Sequence, residues 1–383
     1  MRIVHTSLRY PPSSGGAENY AHDLIEKTKA ASSALDVRVI TSKLRTHGPM
    51  SELDPDLLLD DPIYVQRLHH LSTPLISYPR LQALPYYIQH HAPNIIESYG
   101  FWYQPADVTA RYALKHKVPF IFHPIYYENK IRHKPLWQIY KNLIGKRTFA
   151  AADIVGVISP YEQSLIEKAG FAVKRFELLP PGIDHTLYQK TYDNIFQARG
   201  ITGTILLSVC RISAGKGLES IINVFPHIIK EHPDAQWVII GEDFGAKAAL
   251  KKQAATLGIS KHIHWFGKVR DEEKIAAFQH ATMFLHPSWY EAFGIVLAEA
   301  SASRLPIIAR DIAAIPYVVP HQKTGLLFKT DQELQTAIST LLKNSALRTT
   351  LGEAGKEYIK NNFSWDKTIN RLLALYDELR TKN

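Results

Sequence analysis

The stretch that decides the fold is a run of β-forming residues that ends in a basic, glycine-rich loop. Residues 204–217 read Thr-Ile-Leu-Leu-Ser-Val-Cys-Arg-Ile-Ser-Ala-Gly-Lys-Gly. The first six residues predict a buried strand, and an apolar pattern with helical spacing follows over 218–229. A strand, a short loop and a helix in this order are typical of a parallel sheet covered by helices.

The same alternation extends outward in both directions. On the N-terminal side, strands are predicted at 3–6, 37–41, 95–99, 119–123 and 154–158, and helices at 17–30, 106–115 and 161–168. On the C-terminal side, strands are predicted at 236–240, 262–266, 283–286 and 306–309, and helices at 246–257, 271–280 and 365–380. We therefore predict an α/β protein whose parallel sheets carry helices on both faces.

The alternation breaks near residue 180. Residues 179–184 read Leu-Pro-Pro-Gly-Ile-Asp, which cannot continue a helix or a central strand. We predict one domain over 1–185, a second over 186–362, and a last segment over 363–383 whose helix crosses back to the first domain. Two doubly wound sheets facing each other across a cleft are expected to bind ligands beyond the carboxyl ends of their strands.

Composition excludes several classes of protein. Hydrophobic residues make up 45% of the 383 residues and charged residues 21%, which is ordinary for a globular chain and excludes a disordered or fibrous one. Cys210 is the single cysteine, so an intrachain disulfide is excluded. No apolar run reaches the roughly 18 residues of a membrane-spanning helix. A cytoplasmic protein is expected.

The net charge of +9 is concentrated in one segment. Residues 130–147 hold six Lys or Arg and no acid, together with an apolar stripe at helical spacing. This pattern predicts a basic amphipathic helix that lies on an anionic membrane surface. The residues expected to contact the membrane or the acceptor there are Lys130, Arg132, Lys134, Trp137 and Lys141. The alternative is a helix that packs its apolar face on the sheet. A nucleic acid is not expected to bind, because no nucleic-acid-binding module is present.

Two loops that follow predicted strands carry groups suited to phosphate. Gly15 and Gly16 come after the first strand and open a helix whose backbone N–H groups can bind an anion. Arg211 and Lys216 follow strand 204–209 and can neutralise a diphosphate without a metal. The alternatives are an ordinary tight turn at the glycines and a solvated basic loop at the cations.

Carboxylates and a histidine follow other strands. Glu291 precedes an apolar helical run, and Glu299 lies within it. Carboxylates suit sugar and ribose hydroxyls because they accept several hydrogen bonds. His123 ends the strand 119–123 and is predicted to face the cleft. The alternatives are a helix cap, a surface glutamate and a structural histidine.

In order and spacing, these motifs resemble those of the retaining glycosyltransferases of family 4, which have the GT-B fold. The matching elements are Gly15-Gly16-x-Glu18, Pro181-Gly182-Ile183-Asp184, Arg211-x4-Lys216-Gly217, Gly241-Glu242, Phe266-Gly267, the pair Glu291 and Glu299, and Phe363-Ser364-Trp365. Seven such elements in order make coincidence very unlikely, and the resemblance covers nearly the whole chain.

The resemblance implies the roles of the site residues. Arg211 and Lys216 would bind the donor diphosphate, Glu291 the donor sugar and Glu299 the ribose. The backbone at 293–295 (Phe293, Gly294 and Ile295) would face a phosphate. The remaining contacts would come from Gly15, Gly16 and Gly241, from the backbone of Lys268 and Val269 at the base, and from His123 near the reacting carbon. Glu18 and Tyr99 are assigned to the acceptor.

The resemblance also implies the chemistry. A sugar would move from a UDP- or GDP-sugar to a glycan, a lipid-linked acceptor or a small molecule, with retention and by a same-face mechanism. No metal or cofactor would be required, which agrees with the Arg211–Lys216 pair and the missing Asp-x-Asp motif. The sugar, the base, the acceptor, the linkage and the oligomeric state are left open.

Two departures from the family keep alternatives open. Residues 313–317 read Ala-Ala-Ile-Pro-Tyr where the family commonly has Gly-Gly-x-Pro-Glu, so the wall of the donor pocket is expected to differ. Residues 97–100 read Glu-Ser-Tyr-Gly where histidines are frequent, so acceptor contacts are expected to be unusual. The alternatives are a nucleotide-sugar epimerase of the same fold and a non-catalytic nucleotide-sugar-binding or scaffold protein.

Overall fold

A computed structural model shows that the chain forms two compact units. It describes residues 1–13, 15–45, 52–73, 78–127 and 134–381. The first unit comprises residues 1–181 together with 365–383, and the second comprises residues 182–364. The first unit thus ends four residues before the limit predicted at 185. The second unit is continuous in sequence, and the first is not.

The first unit is a parallel sheet with helices on its faces. Its strands are β1 (Arg2–Ser7), β2 (Asp36–Ser42), β3 (Val65–Leu68), β4 (His70–Leu71), β5 (Arg80–Leu81), β6 (Ile95–Tyr99), β7 (Phe120–His123), β8 (Ile154–Val157) and β9 (Phe176–Leu178). Its helices before residue 181 are α1 (Gly16–Ala31), α2 (Leu84–His91), α3 (Gln104–His116), α4 (Lys134–Tyr140), α5 (Lys146–Ala151) and α6 (Pro160–Lys168). The sheet order is β3-β2-β1-β6-β7-β8-β9, and β4 and β5 form a separate antiparallel ribbon.

The second unit repeats this architecture. Its strands are β10 (Thr204–Val209), β11 (Ala235–Ile240), β12 (Ile263–Gly267), β13 (Met283–His286), β14 (Ile307–Arg310) and β15 (Gly325–Phe328). Its helices are α7 (Leu218–Glu231), α8 (Lys247–Thr256), α9 (Asp271–His280), α10 (Ile295–Ala302), α11 (Ile315–Val318), α12 (Asp331–Lys343) and α13 (Ser345–Asn362). The order β12-β11-β10-β13-β14-β15 is that of a doubly wound nucleotide-binding sheet.

Burial explains why the central strands read as continuous apolar runs. All four residues of β13 and of β14 are buried, because helices cover both faces of the sheet. Trp237 on β11 is fully buried, and its indole N–H donates to the hydroxyl of Ser208 at 3.1 Å. The indole's polar atom is therefore satisfied within the core, as burial requires.

The last helix, α14 (Trp365–Arg380), belongs to the first unit. It packs against α1, and the hydroxyl of Thr368 donates to the carbonyl of Pro180 at 2.9 Å. The hydroxyl of Tyr376 donates to the carboxylate of Glu97 on β6. None of the helices in the described ranges is long and apolar enough to cross a membrane.

Candidate functional site

The candidate site of the second unit lies where the strand order reverses, between β10 and β13. At such a switch point the loops after neighbouring strands diverge and leave a crevice for a ligand. The loop after β10 carries Arg211 and Lys216, and the loop after β13 carries Glu291. The predicted cation pair and the first predicted carboxylate therefore come from adjacent strands.

Two close backbone approaches bring these loops together. A Cβ atom on Gly217 (φ +68°) would lie 2.1 Å from the carbonyl oxygen of Pro287, so only glycine fits there. The backbone N–H of Trp289 donates to the carbonyl of Gly215 at 3.0 Å. These contacts fix the position of Lys216 relative to the loop that carries Glu291.

Lys216, Glu291 and His286 form one hydrogen-bonded cluster. The Lys216 Nζ lies 2.5 Å from Oε1 of Glu291, and Nε2 of His286 lies 2.9 Å from the same oxygen. The side chains of Lys216 and Glu291 are 17% and 15% exposed, whereas that of His286 is 3% exposed. The first two side chains are thus accessible to a ligand, and the histidine lies behind them.

This environment keeps Glu291 ionised. Burial alone would raise the pKa of its carboxyl group, but the hydrogen bond from His286 and the charge of Lys216 outweigh burial and lower the pKa to about 2. At neutral pH the site therefore presents an ionised carboxylate, which can accept hydrogen bonds from hydroxyl groups.

Arg211 and Gly241 lie at the neighbouring strand ends. The exposed guanidinium of Arg211 lies 5.5 Å from the ring centre of Phe244. A Cβ atom on Gly241 (φ +145°) would lie 1.8 Å from the carbonyl oxygen of Cys210, so glycine is required where β10 and β11 end. Burial raises the pKa of the Cys210 thiol to about 12, which makes this cysteine a poor nucleophile.

Lys268 and Val269, predicted at the base, directly follow β12. The carbonyl of Gly267 accepts the N–H of Gly241 at 2.8 Å, which ties the end of β12 to the end of β11. Lys268 is exposed and Val269 is half-buried. The structure thus places this segment at the same edge of the sheet as Arg211.

The helix predicted to open at Phe293 and Gly294 begins two residues later than Phe293, at Ile295, and Gly294 is its N-cap. Phe293 is buried, and its ring lies 5.2 Å from that of Phe363 and 6.5 Å from that of Tyr317. Tyr317 therefore belongs to an aromatic cluster with Phe293 and Phe363. Ala313 adopts φ +54°, in the left-handed region that favours glycine.

Glu299 forms a second pair on α10. Its Oε1 lies 2.9 Å from Nζ of Lys274 on α9, and their side chains are 14% and 23% exposed. Burial would lower the pKa of Lys274, but the Glu299 charge outweighs it and raises that pKa. Glu299 is therefore one partner of an ion pair rather than an isolated surface glutamate.

The loop before α1 places its groups at the carboxyl ends of β1 and β6. Gly15 caps α1, Gly16 is the exposed first residue of the helix, and Glu18 is half-buried in its first turn. Glu18 lines a small pocket with Arg9 and Tyr103. The predicted glycine loop and Glu18 are thus together at one edge of the first sheet.

His123 and Tyr99 lie in more buried surroundings than the sequence predicts. Both side chains are buried, at 0% and 4% exposure, and Tyr99 lines the small pocket that Glu18 and Arg9 also line. Nε2 of His123 donates to Oε2 of Glu97 at 2.7 Å, and the hydroxyl of Tyr99 donates to the same oxygen at 3.1 Å. The ring of Tyr99 stacks on that of His123 at 4.7 Å. Substrate contact by either residue stays a prediction.

The basic segment also differs from expectation. Trp137 is 4% exposed and faces the core, whereas Leu136, Ile139 and Leu143 are 44%, 55% and 59% exposed. The Lys141 ammonium lies 5.1 Å from the ring centre of Trp137. The segment thus packs its aromatic face and exposes an aliphatic one. Lys130 and Arg132 lie outside the described residues, and Lys134 begins α4.

Sequence reasoning missed His286 and Lys274. A signal for His286 was present, because His286-Pro287 ends a buried strand in the same way as His123-Pro124. Lys274 had no such signal, since it contacts Glu299 only through the packing of α9 against α10. Within the described ranges, no group of three His, Cys, Asp or Glu side chains could hold a metal ion.

Comparison with known families matches both units. The family model described as "Glycosyltransferase Family 4" matches residues 14–187. The family model described as "Glycosyl transferases group 1" matches residues 192–358. Together the two models cover nearly all of the chain in the order seen in the structure.

Similar curated proteins match part of their own length. A D-inositol 3-phosphate glycosyltransferase of Corynebacterium efficiens is 28% identical over 60% of this chain and 57% of the relative. A GDP-mannose-dependent alpha-(1-6)-phosphatidylinositol monomannoside mannosyltransferase of Mycobacterium tuberculosis is 27% identical over 59% of this chain and 62% of the relative. The matches thus span about 60% of these relatives.

Solved structures share the fold over the whole chain. The HepE protein of Anabaena, crystallised with UDP, superimposes with a TM-score of 0.81 at 18% identity and covers 99% of this chain and 100% of its own. Sucrose-phosphate synthase of Thermosynechococcus elongatus gives 0.78 at 21% identity, with complete coverage of both chains. With two parallel-sheet units and both family models matched, the chain has the GT-B fold and belongs to the group 1 glycosyltransferases of family 4.

Proposed function

We propose that this protein is a retaining glycosyltransferase that moves a hexose-type sugar from a UDP- or GDP-sugar to a hydroxyl group of a glycan, a lipid-linked acceptor or a small molecule. The observation that carries the proposal is the Lys216–Glu291 pair beside Arg211 at the switch point of the second sheet. Cations suit a diphosphate and the ionised carboxylate suits sugar hydroxyls, so the site offers both halves of a nucleotide sugar a partner.

In this proposal the second unit binds the donor. Arg211 and Lys216 bind the diphosphate, Glu291 binds hydroxyl groups of the sugar, and Glu299 binds the ribose. The bond from the sugar C1 to the phosphate oxygen breaks while the acceptor oxygen bonds C1 on the same face. The acceptor proton passes to the leaving phosphate oxygen, and the two cations stabilise the charge that develops there. No metal is needed for this step.

In this proposal the first unit binds the acceptor. This assignment is supported by Glu18 and Arg9, which line one pocket of that unit. A carboxylate and a guanidinium together suit a polyol that carries an anionic group. The names of two relatives include inositol 3-phosphate and phosphatidylinositol, which supports an acceptor of this kind.

Nucleotide binding tests the donor site first. We expect UDP or GDP to raise the melting temperature without a divalent metal, since a ligand at 100 times its Kd stabilises the folded state by about 2.7 kcal/mol. Arg211→Ala should weaken binding about tenfold or more, whereas Lys252→Ala, at an exposed site on α8, should not. A folded sample that responds to no nucleotide would overturn the donor site.

Turnover separates the remaining alternatives. Proton NMR of a reaction that contains the bound nucleotide sugar and an anionic polyol as acceptor should show release of nucleoside diphosphate and a glycoside with the donor's anomeric configuration. An epimerase would instead return an altered nucleotide sugar, and a binding protein would return the donor unchanged.

We also propose that the aliphatic face at Leu136, Ile139 and Leu143 contacts an anionic membrane. Exposed Leu114 on α3 and the exposed cations Arg111 and Arg147 adjoin this face. Apolar side chains ringed by cations suit the interface of an anionic bilayer.

Co-sedimentation with vesicles tests this surface. Binding to vesicles that contain phosphatidylglycerol should exceed binding to neutral ones and fall when Leu143 is changed to Ser. The matched control is Leu257→Ser, which alters a leucine of 41% exposure in the second unit. Equal binding by both variants would contradict the assignment.

A further inference from the structure

His286 is a buried side chain of the candidate site to which the proposed chemistry gives no part. It is the last residue of β13 and is 3% exposed. The centre of its ring lies 5.9 Å from that of the Phe284 ring, in a stacked arrangement. Its Nε2 carries the hydrogen in the 2.9 Å bond to Glu291, because an ionised carboxylate can only accept. A ring held by a central strand cannot follow a ligand that enters the site.

Lys216 differs from His286 in mobility although it binds the same oxygen. The lysine lies in the loop after β10, on a flexible side chain that is 17% exposed. Under the proposed function the Lys216 ammonium binds the donor diphosphate. The diphosphate oxygens and Oε1 of Glu291 then compete for the positive charge of this ammonium. When the donor enters, the 2.5 Å contact between Lys216 and Glu291 must weaken.

We infer that His286 is a positioning residue, which holds Oε1 of Glu291 so that this carboxylate keeps its orientation toward the donor sugar while Lys216 binds the diphosphate. The inference rests on the proposed function for the roles of Lys216 and Glu291, and on the described geometry for the bond itself. Because His286 acts through Glu291 and does not touch the diphosphate, it should affect the sugar's position and not nucleotide affinity.

Two substitutions separate this role from a merely structural one. Gln can place its amide N–H near the position of Nε2, whereas Asn reaches only the position of Nδ1. We expect His286→Asn to lower kcat about 10- to 100-fold, with nucleoside diphosphate Kd within about twofold of wild type. His286→Gln should recover most of this loss. In a Glu291→Gln background, His286→Asn should cost no more than about twofold further, since the partner is already altered.

Several results would overturn the inference. The first is a wild-type kcat in His286→Asn, and the second is a kcat in His286→Gln as low as that of His286→Asn. The third is that His286→Asn lowers kcat by the same factor in the Glu291→Gln background as in the wild-type protein. Nitrogen-15 NMR of the His286 ring supplies a readout independent of turnover: Nε2 should carry the proton in wild type, and its signal should move in Glu291→Gln. If the wild-type protein binds no nucleotide, the proposed function is wrong. If the Nε2 signal does not move in Glu291→Gln, the inference about His286 is wrong.

Discussion

Each unit ends a buried strand with His-Pro and gives that histidine a carboxylate, but the two pairs differ in what surrounds them. In the first unit, His123 and Glu97 are both 0% exposed and are joined by the hydroxyls of Tyr99 and Tyr376. In the second unit, Glu291 is 15% exposed and is shared with Lys216. The same motif thus lies within a core in one unit and at the partly exposed candidate site in the other, and burial distinguishes the two.

Removal of each carboxylate is expected to show the largest difference in stability between the two pairs. We expect Glu97→Ala to lower the free energy of unfolding by about 3–5 kcal/mol, because buried donors lose their charged partner. Glu291→Ala should lower it less, by about 1–3 kcal/mol, because Lys216 can reach water and only the buried His286 is left without an acceptor. Urea unfolding followed by circular dichroism measures both. Equal losses of unfolding free energy would show that the two pairs stabilise the fold equally, which would contradict this expectation.

Acid should weaken the first unit through His5, whose Nδ1 lies 3.2 Å from the hydroxyl of Tyr99. Burial lowers the pKa of His5 to about 4, although Glu97 acts in the opposite direction. The unfolded chain takes up this proton near pH 6.5 and the folded chain only near pH 4. Stability from this group is therefore complete above 6.5 and falls by at most about 3 kcal/mol toward pH 4.

Comparing urea midpoints at pH 7 and pH 4.5 measures this contribution. Wild type should lose more stability between the two pH values than His5→Phe, which lacks the titrating ring. The same loss in both proteins would show that His5 does not contribute.

The smallest expected effect contrasts two tyrosines. Tyr376→Phe removes a hydroxyl donor from an ionised, buried carboxylate and should cost about 1.5–3 kcal/mol. Tyr358→Phe in the second unit removes a bond of 3.0 Å to the carbonyl of Tyr317 and should cost about 1 kcal/mol. Thermal unfolding of the two variants measures the difference, and a larger loss for Tyr358→Phe would contradict it.

Local patterns were enough to predict most of the sheets. The strands at 95–99, 204–209 and 283–286 and the helix at 271–280 have the predicted limits, since loop residues bound each of them on both sides. The edge strands Val65–Leu68 and Phe176–Leu178 were missed, because they are short and carry charged residues such as Arg67 and Glu177. These two edge strands therefore lack a continuous apolar signal, whereas the edge strand Gly325–Phe328 was missed although its residues are apolar.

The candidate site was predictable where its residues follow strands, and not where partners meet through packing. Lys216 and Glu291 were both singled out, but their contact joins residues 75 positions apart. Glu97 was noticed only as a departure from the family, because its partner Tyr376 comes from a helix 279 positions later. Trp137 was assigned to the exposed face because an apolar stripe does not tell which of two apolar faces the core covers.

The return of α14 to the first unit sets an order of events on the ribosome. Residues 182–364 are made before the helix that carries Tyr376, which at about 5–20 residues per second takes about 10 to 40 s. The second unit is continuous and emerges whole during this time, while the Glu97 carboxylate still lacks its last hydroxyl donor. The unit whose synthesis starts first is therefore completed last, because α14 cannot cover α1 before residues 365–380 have been made.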